Sequence, residues 1–460
     1  MNNKKLAIPA IMLLAAPAFA VSLVVETGQN VNPGSGVSYY ESINFAGSGS
    51  ISQTAMIHLD GVYGEHAGDI WVGDGVSGTI TSAADNGIYL QSQTGASAGY
   101  IQGASRDTST LTFAGNAIST GNNAEQDLYV KDITLNMRKD LSSNNFIRGA
   151  GICFENATVN ILHSDVGDTN FISGGISNLT DSRNYVFNNS TLNVEGGLLF
   201  KVTNQSSNRS ARFNSSEVVI SETGSLKFNG NVSAVYDKTT VTIKGTMTQM
   251  RASNLMNSTF NVYSSLDLTT TSAETCTLSS GVNTINLYDG GTLVCSKNMT
   301  VGSKVTFKVA GNGTATIENL TANSGAILDI GVSTNIATLT AGAPDSIVNI
   351  AVAQGGQLTI GSFIPSGDSV MNIALSDDIF DGQFIVTQMA DALKMYDPTK
   401  ESSFYFVDDN GEKRVLGENL WIKDLGSETY SIYTAVPEPA QVASFLALMA
   451  LGFAAYRRRK

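Results

Sequence analysis

Between residues 157 and 360 one alternation of apolar and polar positions keeps returning in altered spelling. It reads "STLNVEGGLLF" at 190–200, "SEVVISETGSLKF" at 216–228, "TTVTIKGTMTQM" at 239–250, "STFNVYSSLDL" at 258–268, "NTINLYDGGTLVC" at 283–295 and "SIVNIAVAQGGQLTI" at 346–360, with a weaker copy, "ATVNILHSD", at 157–165. Each copy is a period-two strand, a Gly- or Ser-bearing turn and a second short strand. Aligning the copies on Leu192, Val218, Val241, Phe260 and Ile285 gives steps of 26, 23, 19 and 25 residues. A repeat of about 20–25 residues with two or three strands per unit predicts stacked coils, an all-β right-handed parallel β-helix. The pattern predicts roughly 16–18 coils and a rod of about 80 Å, from the spacing between neighbouring strands. Strands about every 8–12 residues would also suit tandem sandwiches, whereas the uneven step argues against a propeller.

The stacking predicts its own chemistry. Val, Ile, Leu and Phe repeat inward, while outward Thr, Ser and Asn stand over their counterparts and hydrogen-bond along the rod. Asn at turns, as at Asn188, Asn189, Asn208 and Asn312, tolerates left-handed backbone. The clear repeat covers 127–362, leaving 21–126 as an N-terminal cap with irregular first coils. Residues 363–434 change character and are expected to form a C-terminal cap. They hold a short helix candidate from Gln388 to Tyr396, a hairpin about Asn410-Gly411 of the type I′ form, and two further strands.

The two ends differ from this body. Residues 1–20, "MNNKKLAIPAIMLLAAPAFA", put Lys4 and Lys5 before a short apolar run that closes on Ala18-Phe19-Ala20. That order of charge, apolar core and small-x-small site predicts a signal peptide cut after Ala20, handled by the Sec machinery and signal peptidase. Residues 435–460 run from Pro437-Glu438-Pro439 through an uncharged segment, 440–456, into Arg457, Arg458, Arg459 and Lys460. The segment sits at the short limit of a membrane-spanning helix, and cations just beyond a span stay on the cytoplasmic side, so the body would face outward. The two prolines make the tripeptide a stiff, non-helical handle.

Tripeptide, apolar span and basic tail together resemble the PEP-CTERM sorting signal of exported bacterial proteins. The resemblance covers only about the last 25 residues of the 460. It implies an exosortase-like membrane enzyme as partner, transient anchoring in the inner membrane, processing near the tripeptide, and delivery to the cell surface or extracellular matrix of a Gram-negative-type host. The body resembles the Gly/Ser/Thr/Asn-rich passenger regions of autotransporter-like surface proteins in texture and period alone.

Composition narrows the function. Lys plus Arg number 27 against 40 Asp plus Glu, and without the two terminal signals 21 basic residues face 39 acidic ones. So acidic a body repels nucleic acid, which is excluded as a partner. The three cysteines, Cys153, Cys276 and Cys295, are too few and of the wrong parity for a disulfide framework. They read either as small buried hydrophobes or, with Cys276 and Cys295 facing each other on adjacent coils, as one disulfide.

No catalytic constellation emerges. The densest polar cluster, "HLDGVYGEHAGDIWVGDG", holds His58, Asp60, Glu65, His66, Asp69, Trp71 and Asp74. It has no metalloprotease spacing and reads as a polar turn region near the N-terminal end. Neither calcium loops nor a nucleophile elbow occur, so no metal or cofactor is expected. The expected function is therefore an exported, adhesin-like structural protein whose repetitive polar face makes weak multivalent contacts with glycans or extracellular polysaccharide. The alternative is a polysaccharide lyase or hydrolase on the same scaffold. Ice or mineral binding would need a strict Thr-x-Thr column, and the sequence displays only scattered pairs such as Thr239-Thr240.

Overall fold

A computed structural model describes residues 22–36, 38–60, 69–82, 87–91, 99–114, 118–120, 127–138, 147–149, 151–162, 170–174, 185–202, 209–228, 232–249, 252–268, 275–353, 356–375, 384–387, 396–427 and 429–434. These residues are all-β and build long parallel sheets wound as a solenoid. Each coil contributes one strand to each of three ladders. The coil containing Tyr185–Asn188 (first ladder), Thr191–Val194 (second) and Gly197–Val202 (third) is representative. The second ladder has 16 strands, one per coil, which makes a stack of about 70 Å at the usual interstrand spacing.

The register follows the alignment read from the repeats. Leu192 stands opposite Val218, Val218 opposite Val241, Val241 opposite Phe260 and Phe260 opposite Ile285, all buried. The uneven step has a local cause. In six successive coils two residues join the first ladder to the second: Asp132-Ile133, Asn156-Ala157, Asn189-Ser190, Ser215-Ser216, Lys238-Thr239 and Asn257-Ser258; in the other coils the same passage takes from one residue, Gly281, to six, 104–109. Within these six coils length varies in the other two passages, from second ladder to third and from third to the next coil's first.

The constant corner is built from two residue types. Its first residue is left-handed, with φ between 47° and 51° in all six cases, a geometry that Asn and Asp adopt at least cost. Asn189 does so as expected. At the other candidate, Gly311 (φ 110°) takes the left-handed place rather than Asn312, and Asn208 lies outside the described residues. The second corner residue points inward, and in four successive coils it is a buried hydroxyl: Ser190, Ser216, Thr239 and Ser258. Ser216 Oγ lies 2.8 Å from Asn214 O and 3.0 Å from Phe187 O, and accepts from Ser190 N at 3.2 Å. Ser258 Oγ accepts from Thr239 N at 3.2 Å. These hydroxyls satisfy backbone groups that the turn removes from the ladders, which would otherwise be buried without partners.

Aromatic side chains fill the middle of the interior. Phe154, Phe187, Phe213 and Tyr236 stack coil over coil at centroid spacings of 4.4, 4.9 and 5.2 Å, and Phe200 meets Phe187 and Phe213 edge-on. Outside, amides form a second column: Asn160 Nδ2 donates to Asn136 Oδ1 and Asn193 Nδ2 to Asn160 Oδ1, each at 2.7 Å.

Three features refine these expectations. Coils begin at Leu23–Val25, which pairs in parallel with Ser42–Phe45, so the first coils, irregular in their corner lengths, run through the described part of 21–126. From Thr292–Val301 onward, the first and third ladders share single long strands, also Thr314–Ala322, Ser333–Ala341 and Gln357–Ile364, so these coils have a longer, continuous face. The turn at Asn410-Gly411 is not type I′. Only Gly411 is left-handed (φ 83°), and its N–H donates to Asp408 O at 3.0 Å; Phe404–Val407 pairs in parallel with 371–374 on one edge and on the other turns back in the expected hairpin, a short one with an antiparallel bridge from Val407 to Lys413. That pattern is a type I turn closed by a left-handed glycine.

The C-terminal end is closed by antiparallel pairing. Thr429–Tyr433 runs antiparallel to Phe384–Thr387, the last third-ladder strand, and Trp421–Gly426 pairs outside it. The helix candidate Gln388–Tyr396 lies outside the described residues except for Tyr396.

Candidate functional site

Both sorting elements, with Ala18, Ala20, Pro437, Glu438, Pro439 and the Arg457–Lys460 tail, lie outside the described residues. Among the described residues, no helix is long and apolar enough to cross a membrane.

The polar cluster near the N-terminal end is divided between ladders. His58 lies on the third ladder, where its ring stacks between Tyr39 and Tyr89 at 5.0 and 5.2 Å. Asp69 and Trp71 lie on the first ladder, Trp71 between Asn44 and Gln102 of the flanking coils. Asp74 sits in the following turn and accepts from Thr108 Oγ1 at 2.5 Å. Glu65 and His66 lie outside the described residues, as does the side chain of Asp60. Among the described residues, no group of three His, Cys, Asp or Glu side chains is placed to hold a metal ion.

The cysteines correct the disulfide expectation. Cys276 is on the first ladder and faces Met299 of the next coil, whereas Cys295 is on the third-ladder half of its strand and faces Ile317. Coil stacking therefore does not oppose them, and all three cysteines are free thiols. Burial pushes the Cys276 thiol up to about 12 and raises Cys295 as well, which suppresses the reactive thiolate. Neither is expected to react with Ellman's reagent in the native protein at pH 8. In denaturant without reductant, the full count of three thiols should appear. A count of one would restore the disulfide.

Outward columns are what the solenoid presents. Tyr100 and Tyr129 stack at 5.2 Å with Lys131 Nζ 5.4 Å from the Tyr129 ring, and Lys131 pairs with Glu155 at 2.9 Å. Lys308 pairs with Asp329 on the second ladder at 2.8 Å. A cleft of about 440 Å³ near the C-terminal end, lined by Asp368, Ser369, Glu401, Ser402 and Tyr405 among others, contains no imidazole or lysine to activate a hydroxyl. Tyr405 Oη is already engaged, donating to Lys400 O and accepting from Ser402 N, each at 3.0 Å.

The functional arrangement is thus a set of ordered polar columns on a rigid stack. The buried corner hydroxyls escaped the sequence reading, although Ser190 shares the inward parity of Leu192 and Val194 and could have been found by it. No protein-family model, curated protein or solved structure matches this chain.

Proposed function

We propose that this protein is an exported structural component of the cell surface or extracellular matrix, a non-enzymatic, adhesin-like rod delivered through its C-terminal sorting signal. The observation that carries this reading is the order Pro437-Glu438-Pro439, uncharged run, Arg457-Arg458-Arg459-Lys460, which follows an acidic body and an N-terminal stretch of signal-peptide form. The 440–456 run serves as a membrane helix held by its basic end on the cytoplasmic side, and an exosortase-like enzyme acts at the stiff tripeptide. The body suits the task. Its coils wind right-handed, as parallel crossovers do almost without exception, and their outward columns repeat weak polar contacts that gain strength by multiplicity with glycans or extracellular polysaccharide.

The test is fractionation of an exosortase-bearing Gram-negative host that expresses the wild type and a variant carrying Pro437→Ala, Glu438→Ala and Pro439→Ala. Wild-type protein is expected in the surface and matrix fractions, and the variant in the inner membrane, with the matrix signal down about tenfold or more, as expected when recognition of one short motif is lost. Equal distribution of the two proteins, or retention of both in the cytosol, would defeat the proposal. Release of reducing sugar from polysaccharides above a heat-killed control would replace it with an enzyme.

A further inference from the structure

The coils after residue 250 carry a feature that spacing along the chain conceals. On the outward face of the first ladder, Asn254, Thr277, Thr300, Thr321 and Thr340 stand in direct register over five successive coils. Two residues earlier on each strand a second column runs through Thr275, Asn298, Asn319, Thr338 and Ser362. Strand after strand reads Thr275-x-Thr277, Asn298-x-Thr300, Asn319-x-Thr321 and Thr338-x-Thr340, with the residue between, Cys276, Met299, Leu320 or Leu339, buried. The net ends at Ile364, opposite Thr340.

Its dimensions come from the backbone. Neighbouring strands repeat at about 4.8 Å along the rod, and residues two apart on a strand at about 6.6 Å across it. Parallel pairing on a filled interior holds these spacings rigid, so the hydroxyl and amide groups are ordered before anything binds.

The chemistry of the net selects its occupant. None of its positions is charged, in a chain that carries 40 acidic and 27 basic residues. The charges at this level, Lys297 and Glu318, lie at the bend between the two halves of the long strands. An ionic partner has nothing to pair with on the face. None of its positions is aromatic, so there is no ring for a sugar to stack upon. Each threonine sets a methyl group beside its hydroxyl, so hydrogen-bonding and apolar points alternate across the face. A rigid, neutral, two-dimensional array of this kind complements ordered water.

We propose that this face, centred on Thr277, Thr300, Thr321 and Thr340, binds ice, its regular rows of neutral hydroxyl and amide groups anchoring ordered water. The partner is crystalline water, and binding is multivalent, each row contributing weakly and the set acting together. Being built into the body, the site does not depend on how the C-terminal tail is processed.

The test uses the purified full chain, Thr300→Lys with Thr321→Lys as the disrupting variant, and Thr242→Lys as the control. Thr242 is an outward threonine on the second ladder, between Val219 and Asn261. All three proteins are first matched for thermal unfolding, so that altered binding is not misfolding. Wild type and the Thr242 variant are expected to partition into a slowly growing ice hemisphere and to inhibit ice recrystallisation. The double variant should lose about tenfold or more of that activity, because two adjacent rows of a multivalent array are removed. Exclusion of the wild type from ice, or equal activity of the double variant, overturns the proposal. Sedimentation with insoluble cellulose or chitin that is abolished in the double variant, without ice binding, reassigns the face to a polysaccharide and overturns it equally.

Discussion

Phe213→Ala is expected to destabilise the middle of the solenoid by about 3–5 kcal/mol, the usual cost of emptying a fully buried aromatic site. Phe213 is completely buried, stacked on Phe187 at 4.9 Å and on Tyr236 at 5.2 Å, with Phe200 edge-on at 6.2 Å. Its removal breaks the aromatic column at its centre, and the parallel ladders on either side prevent the walls from collapsing into the gap. Because each coil contacts chiefly its neighbours, the damage stays local. Hydrogen exchange should accelerate across 185–262, while the coils at 314–341 keep their protection, and the denaturant midpoint of the first transition should fall. Phe213→Leu should recover more than half of the loss. Uniform exchange along the whole chain, or a loss below about 1 kcal/mol, the level of a surface substitution, would refute the stacked-column account.

Arg414→Ala is expected to release the C-terminal closure. Arg414 is only 3% exposed, and its guanidinium donates to three backbone carbonyls: Leu375 at 2.7 Å, Val407 at 3.3 Å and Asn419 at 3.4 Å. Leu375 and Val407 end the last two second-ladder strands, so one side chain fastens the closing turn to both. Its own carbonyl accepts from Tyr396 Oη at 3.2 Å, which joins the same knot. The expected cost is about 3 kcal/mol or more, since hydrogen bonds from a charged donor contribute about 1.5–3 kcal/mol each and water returns to only part of the site. Lysine should not rescue it, because a single ammonium cannot reproduce the planar fork. Limited proteolysis reads the effect: early cleavage within 396–427 while 23–375 resists. A digestion pattern identical to wild type would show that Arg414 is not the fastening.

The inward residues of the second ladder were legible because alternation has only two phases, and the buried phase is apolar in almost every copy. The first coils were hidden by a packing exchange. Gly78 lies where Leu111 lies in the next coil, and a Cβ there would come within 2.8 Å of the Phe45 ring. Phe45 fills the space that a branched residue at 78 would have used, so the repeat persists in three dimensions while its spelling disappears. The Asn410-Gly411 dipeptide correctly marked a turn. Its type was settled by the backbone, in which only Gly411 is left-handed, and the chain turns back there as a short hairpin with Val407 bridging Lys413.

Alternation, repeat length and the left-handed tolerance of Asn at corners determined from sequence that this chain is a stack of parallel coils, and the character of its two ends is likewise a property of sequence alone. Tertiary structure decided which outward residues share a column. It set Cys276 against Met299 rather than Cys295, fused two ladders after residue 292, and brought Thr277, Thr300, Thr321 and Thr340 into line. The physical reason lies in the corners. In the six coils between 132 and 258 the turn from first to second ladder takes two residues, so the pattern on either side of it survives in that part of the linear chain. The passage from one coil to the next varies in length, so lateral register is set by backbone pairing between coils and leaves no constant interval in the sequence.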